Sequence, residues 1–200
     1  MAKEKLNILE STCVPLPLEN IDTDQIIPAR FLSSTSREGF GKNLFRDWRY
    51  DKDGRPLEDF ILNNRKYNGK ILVAGKNFGC GSSREHAVWA VYDYGFRVVI
   101  SSFFADIFRN NALNNGLLPL IIPEDEVKSL LALVTGEPGT IVKINVQDRR
   151  MEVPASGKSF TFEINPYKQE CLIHGLDDID YLINMRSRII EYEKSRGGLG

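Results

Sequence analysis

The stretch ILVAGKNFGCGSSREHAVWAVYDYGFRVVI, residues 71–100, decides the fold. Ile71-Leu72-Val73-Ala74 is a short apolar run closed by Gly75, the pattern of a strand buried on both faces. Ser83 to Tyr94 reads as a helix stopped by Gly95, a residue type suited to the position just past a last turn. Val98-Val99-Ile100 is a second buried strand. Downstream, Phe104 to Asn114 predicts a second helix ended by Gly116, and Leu117 to Ile122 a third strand despite Pro119. A helix from about Glu124 to Val134 follows. This alternation of strand and helix implies parallel strands joined by right-handed crossovers.

Further along, the period changes. Thr140 to Val146, Arg149 to Val153 and Ser159 to Ile164 alternate apolar and polar residues, with Ser156-Gly157-Lys158 as a turn. That alternation predicts an antiparallel meander with one solvated face. Two helices close the chain, one opened by Pro166 and one from about Asp178 to Lys194. Upstream, Val14-Pro15-Leu16-Pro17-Leu18 and Ile26-Ile27-Pro28 are dense in proline, which predicts loops and short edge strands. Residues Gly39 to Tyr50 suggest a short helix in a long loop. The expected fold class is α/β: a parallel βαβ centre, an added antiparallel strand layer and C-terminal helices, in one domain over residues 1–200.

With 200 residues, 42% hydrophobic and 26% charged, the chain can bury one sizeable core. A net charge of −1 gives no general reason to bind nucleic acid or an anionic membrane. No apolar run approaches the roughly 20 residues that span a bilayer, and Met1 to Leu6 has no apolar segment behind it. A cytoplasmic location is expected. Cys13, Cys80 and Cys171 are scattered, and His86 and His174 are the only histidines. That set predicts neither a disulfide framework nor a self-contained metal site.

The segment Gly75 to His86 lies between a strand end and a helix start, where α/β sheets bind ligands. Its glycines permit a sharp turn, and the helix dipole there favours an anion. Ser82-Ser83-Arg84-Glu85 fits a capping box, with Ser82 at the N-cap and Glu85 at the third helical position. Capping does not explain Arg84, a cation in a first turn that disfavours one, and a bound carboxylate would. Nucleotide fingerprints fail, since Arg84 stands where a third glycine belongs and no lysine precedes Ser82. A catalytic Ser82 would need activation by fixed charge and backbone dipoles, because no histidine completes a triad pattern.

Gly79-Cys80-Gly81-Ser82-Ser83-Arg84-Glu85-His86 resembles the active-site signature of the swivelling domain of the aconitase superfamily. Asn20-Ile21-Asp22-Thr23-Asp24-Gln25-Ile26-Ile27-Pro28 resembles that domain's other active-site loop, and the likeness continues through Gly39 to Phe45, Asp47-Trp48-Arg49 and Phe104 to Asn111. Within the superfamily the chain is most similar to small subunits of bacterial 3-isopropylmalate dehydratases. The resemblance implies a three-layer β/β/α swivelling domain and a hydro-lyase of leucine biosynthesis that interconverts 2- and 3-isopropylmalate by removing and re-adding water. It implies a large-subunit partner that carries a [4Fe-4S] cluster, with no metal bound by this chain. Ser82 matches the family's serine base, Asp24 an active-site aspartate, and Ser83 and Arg84 contacts to a substrate carboxylate. Phe31, Leu32 and Ser33 match the loop that discriminates the alkyl group. His86 is expected to pack or orient, and Phe104, Ile107 and Phe108 to lie in the core. The rivals are the small subunit of a related hydro-lyase, such as homoaconitase or a methylmalate-type (citraconate) dehydratase, and a non-catalytic anion- or RNA-binding module.

Overall fold

The computed structural model describes residues 3–32 and 39–195. Seven strands form one mixed sheet: β1 (Ile8–Leu16), β2 (Ile71–Ala74), β3 (Val98–Ser101), β4 (Leu118–Ile121), β5 (Ile141–Asn145), β6 (Arg150–Val153) and β7 (Lys158–Thr161). Their spatial order is β4-β3-β2-β1-β5-β6-β7. Among the described residues the α-helices are α1 (Thr23–Ile26), α2 (Arg46–Arg49), α3 (Glu85–Tyr94), α4 (Asp106–Asn114), α5 (Glu124–Gly136), α6 (Pro166–His174) and α7 (Asp178–Ser195). The parallel centre, the antiparallel strands and the two closing helices are present as expected.

The N-terminal third departs from its reading as loops and short edge strands. β1 is nine residues long and stands at the middle of the sheet. Its first half, Ile8 to Thr12, pairs antiparallel with β5, and its second half, Cys13 to Leu16, pairs parallel with β2. Pro15 falls in the second half, which has only the β2 partner. A strand with a single neighbour uses only every second N–H, so a proline is tolerated at an unused position. Pro119 is accommodated likewise, because β4 is an edge strand paired with β3 alone.

Alternation along the parallel strands divides the core between two faces. Leu16, Leu72, Ala74 and Val99 face one side, where α1, α3, α4 and residues 40–62 cover them. Ile71, Val73, Val98 and Ile100 face the other, against α5 and the apolar side of the antiparallel strands, including Val142, Ile144 and Met151. Phe104 and Phe108 are buried as expected, but Ile107 is 51% exposed, because the burying face of α4 is only one residue wide there. Cys13 and Cys171 are buried on different elements, and all three cysteines are free. Among the described residues, no helix is long and apolar enough to cross a membrane.

Candidate active site

The loops that leave β1, β2 and β3 at their C-terminal ends are laced together beyond the sheet. Gly75 N–H donates to the Leu18 carbonyl at 3.1 Å, and Asn20 N–H donates to the Lys76 carbonyl at 2.8 Å. Gly79 and Cys80 N–H groups both donate to the Ile21 carbonyl, at 2.8 and 3.2 Å, and Thr23 N–H donates to the Cys80 carbonyl at 2.9 Å. On the other flank, Asn77 N–H donates to the Phe103 carbonyl at 3.0 Å. This seam fixes the loop holding Asp24 against the turn holding Ser82, although 57 residues separate the two loops' hydrogen-bonded partners Asn20 and Asn77.

Gly79 is required at its position twice over. Its φ is +77°, and a Cβ there would stand 2.2 Å from Cγ of Phe108. Gly81, at φ +93°, takes the chain round so that Ser82 and Ser83 emerge exposed.

The expected capping box of α3 is absent. The helix begins at Glu85, its N-cap is Arg84, and no side chain caps it. Ser82 and Glu85 have other partners. Thr23 Oγ1 donates to the Ser82 carbonyl at 3.1 Å and lies 3.3 Å from Ser82 Oγ. Glu85 Oε1 accepts from Nδ2 of the buried Asn115 at 2.8 Å, and the same amide's oxygen accepts from the Trp89 indole at 3.1 Å. A capping box does form one loop away, at α1, where Asp22 Oδ1 accepts from Gln25 N–H at 2.7 Å and Gln25 Oε1 accepts from Asp22 N–H at 2.9 Å. It sets Asp24 in the first turn of α1.

Arg84 is extended, at φ −97° and ψ 99°, so it does not sit in a first turn against the dipole. Its guanidinium forms an ion pair with Asp24. That partner holds the Asp24 carboxyl below the usual carboxylate range, aided by the Ala29 N–H at 3.3 Å. The two loops therefore place Ser82, Ser83 and Arg84 beside Asp24, with an exposed serine next to a compensated cation. Thr23, read from sequence only as a residue that shapes its loop, is 3% exposed and is the direct neighbour of the Ser82 hydroxyl. His86 packs against the rings of Phe40 and Trp89, with centroids 5.4 and 4.5 Å away.

Phe31 and Leu32 are half-buried and pack against the core, while Ser33 lies outside the described residues. The groove beside Asp24 is lined instead by Pro28, Ala29, Arg30, Asp47 and Trp48. Nothing in the periodicity of residues 39–50 singled out Trp48 for that place.

Among the described residues, no group of three or more His, Cys, Asp or Glu side chains could hold a metal ion. Cys80 is in the turn, Cys13 in the sheet and Cys171 in α6, so these residues do not form a cradle for an iron–sulfur cluster.

A family model for the aconitase C-terminal domain matches residues 3–125. The 3-isopropylmalate dehydratase small subunit of Christiangramia forsetii is 53% identical over 195 residues, covering 98% of this chain and 95% of its own. That of Cytophaga hutchinsonii is 54% identical over 192 residues, covering 96% of each. The crystal structure of 3-isopropylmalate dehydratase from Methanocaldococcus jannaschii matches 94% of this chain and 99% of that one, with a TM-score of 0.65 and 30% identity. Sequence, fold and the joined loops thus agree, and the chain belongs to the family of 3-isopropylmalate dehydratase small subunits, within the aconitase superfamily.

Proposed function

We propose that this chain is a single swivel-type unit that builds the base-and-clamp side of a hydro-lyase site, completed by a large subunit, for the interconversion of 2- and 3-isopropylmalate. The observation that carries the reading is the convergence of the exposed Ser82 hydroxyl with the Asp24–Arg84 ion pair at one laced pair of loops.

Ser82, as an alkoxide, takes the proton from the carbon next to a substrate carboxylate. The electron pair of that C–H bond becomes the C=C bond, and the hydroxyl on the neighbouring carbon departs with the C–O electrons as hydroxide, which takes a proton from an acid on the large-subunit side of the site and becomes water. Re-addition of water in the opposite sense gives the isomer. The positive end of α3 lies just beyond Ser82, and such a dipole stabilises an oxygen anion. Thr23 Oγ1 stands where its hydrogen can turn toward that oxygen. Arg84 and Ser83 receive the carboxylate, since a guanidinium matches a carboxylate's two oxygens. Asp24 balances Arg84 when no substrate is present and holds its orientation. The segment after Pro28 is assigned to the alkyl side of the substrate, a role the resemblance gives to Phe31, Leu32 and Ser33. The iron–sulfur cluster that the family implies is assigned to the large subunit, and this chain's residues act without touching it. A cytoplasmic location fits a biosynthetic enzyme of this kind.

The test is reconstitution with a large subunit. The isolated chain is expected to be inactive and the pair active on isopropylmalate. Ser82→Ala is expected to assemble normally and lose activity by at least about a hundredfold, the low end for a missing acid–base group. A Ser82→Ala pair with full activity would remove the serine base from the mechanism. Turnover of homocitrate or citraconate in place of isopropylmalate would give the site to a related hydro-lyase.

A further inference from the structure

Beside Asp24 a groove of about 430 Å³ runs along the outer side of α1 to α2. Its lining is Asp24, Gln25, Pro28, Ala29, Arg30, Asp47 and Trp48, so Trp48 is its one aromatic wall. Ring contacts and the backbone around them hold Trp48 in that place. Its indole stacks on Phe45, with centroids 5.4 Å apart and planes within 8°, and is tilted by 52° against Phe60 with centroids 5.9 Å apart. Phe45 sits in the left-handed region, at φ +49° and ψ +39°, a conformation that costs a non-glycine residue energy and aims α2 back toward α1. Phe45 N–H donates to the Ile26 carbonyl at 2.8 Å, which ties this bend to the helix carrying Asp24. Behind it, the buried Arg49 donates to the Gly41 and Leu44 carbonyls at 3.4 and 3.3 Å and to Asn63 Oδ1 at 3.2 Å. Strain and a buried cation are thus used to keep one aromatic wall beside the candidate active site.

The groove's chemistry selects its occupant. Arg30 is engaged by both oxygens of Asp47 and its guanidinium lies over the Phe31 ring, 4.7 Å from the centroid. This side of the lining is therefore charge-balanced, and it offers no uncompensated cation to a further carboxylate. Phe31 and Leu32, meanwhile, turn toward the core. Resting on the functional reading above, we propose that this groove seats the uncharged branched alkyl group of the substrate, and that Trp48 is a specificity-determining residue.

The experiment is kinetic, on the enzyme reconstituted with its large subunit. It compares 3-isopropylmalate, its methyl analogue 3-methylmalate, and a hydroxytricarboxylate. Trp48→Ala is expected to lower the ratio of kcat/KM for the isopropyl over the methyl substrate by about tenfold, the scale of one or two methylenes removed from an apolar pocket. Turnover of the methyl substrate is expected to stay within about twofold, as its shorter group does not reach the wall. Trp48→Leu, which retains bulk and guards against a folding defect, is expected to move the ratio the same way by less. Asp47→Asn, which uncovers Arg30, is expected to raise kcat/KM for the tricarboxylate relative to isopropylmalate by at least about threefold, a modest charge effect at an exposed pair. A ratio unchanged in both Trp48 variants, or both substrates falling in parallel, overturns the assignment of Trp48. No gain for the tricarboxylate with Asp47→Asn overturns the uncharged occupant. A wild-type pair inactive on every malate would instead overturn the functional reading itself.

Discussion

At the residue scale the site is a set of exchanged partners. Ser82 and Glu85 satisfy the pattern of a capping box, yet the first is held by Thr23 and the second by Asn115. Local spacing shows which residues could pair along one segment, and it is silent about a threonine that arrives from another loop. Thr23→Val keeps the shape and removes the hydroxyl. It is expected to lower kcat about tenfold, the value of one hydrogen bond to the reacting oxygen, with little change in KM; steady-state kinetics of the reconstituted pair checks it. Asp24 is argued from its ion pair. Because Arg84 lowers its pKa in the fold, the pair's contribution to stability is present above the ordinary carboxylate value near 3.8 and is lost as pH falls through the lower folded value. The paired state therefore prevails at neutral pH. Asp24→Asn is expected to leave Arg84 uncompensated, so that KM for a dianionic substrate does not rise while kcat falls, measured at pH 7.

At the scale of elements, the strands and helices of residues 71–136 were legible because their apolar periods and their glycine stops agree. β1 was not. Its prolines argued against a ladder, and the reason they are tolerated, a strand with a different partner for each half, is a property of the assembled sheet. The start of α3 was misplaced by two residues, since Ser83 and Arg84 belong to the turn that Gly79 and Gly81 shape. That turn has a sharp test. Gly79→Ala must place a methyl group against the Phe108 ring and hold φ at +77°. It is expected to destabilise the fold by about 2–4 kcal/mol, from overpacking and backbone strain together, read by urea unfolding. Gly136→Ala, with nothing within 4 Å of the added carbon, is expected to be neutral or slightly stabilising in the same assay.

Across the whole molecule, the apolar residues that remain exposed are informative at one edge. Leu18, Phe103 and Ile107, at 43%, 48% and 51% exposure, stand on the loops and helix start around the turn that carries Ser82. Sequence placed Ile107 in the core because helical spacing cannot say how wide the covered face is. Ile107→Asp is expected to leave the unfolding midpoint unchanged and to abolish co-purification with the large subunit, the outcome for a residue that a partner covers. A second test probes the centre of the sheet. Burial pushes the Cys13 thiol up to about 12, against an ordinary value of 9.0. The folded thiol keeps its proton where the unfolded one loses it. Stability is thus unaffected below pH 9 and declines as pH rises from there toward 12. Cys13→Ala is expected to flatten that alkaline decline in urea midpoints measured from pH 8 to 11.

The division of β1 between two partners also sets an order of events at the ribosome. Residues Cys13 to Leu16 can pair as soon as Ile71 to Ala74 have emerged, and the loops that carry Asp24 and Ser82 follow directly from those strands. Ile8 to Thr12 must wait until α3, β3, α4, β4 and α5 have all been synthesised before Ile141 to Asn145 appear. During that interval the nascent chain carries the hydrogen-bonded seam of the candidate site and an open strand edge side by side. A translation product cut short before β5 would keep that edge permanently, and such an edge is a template for pairing with other chains.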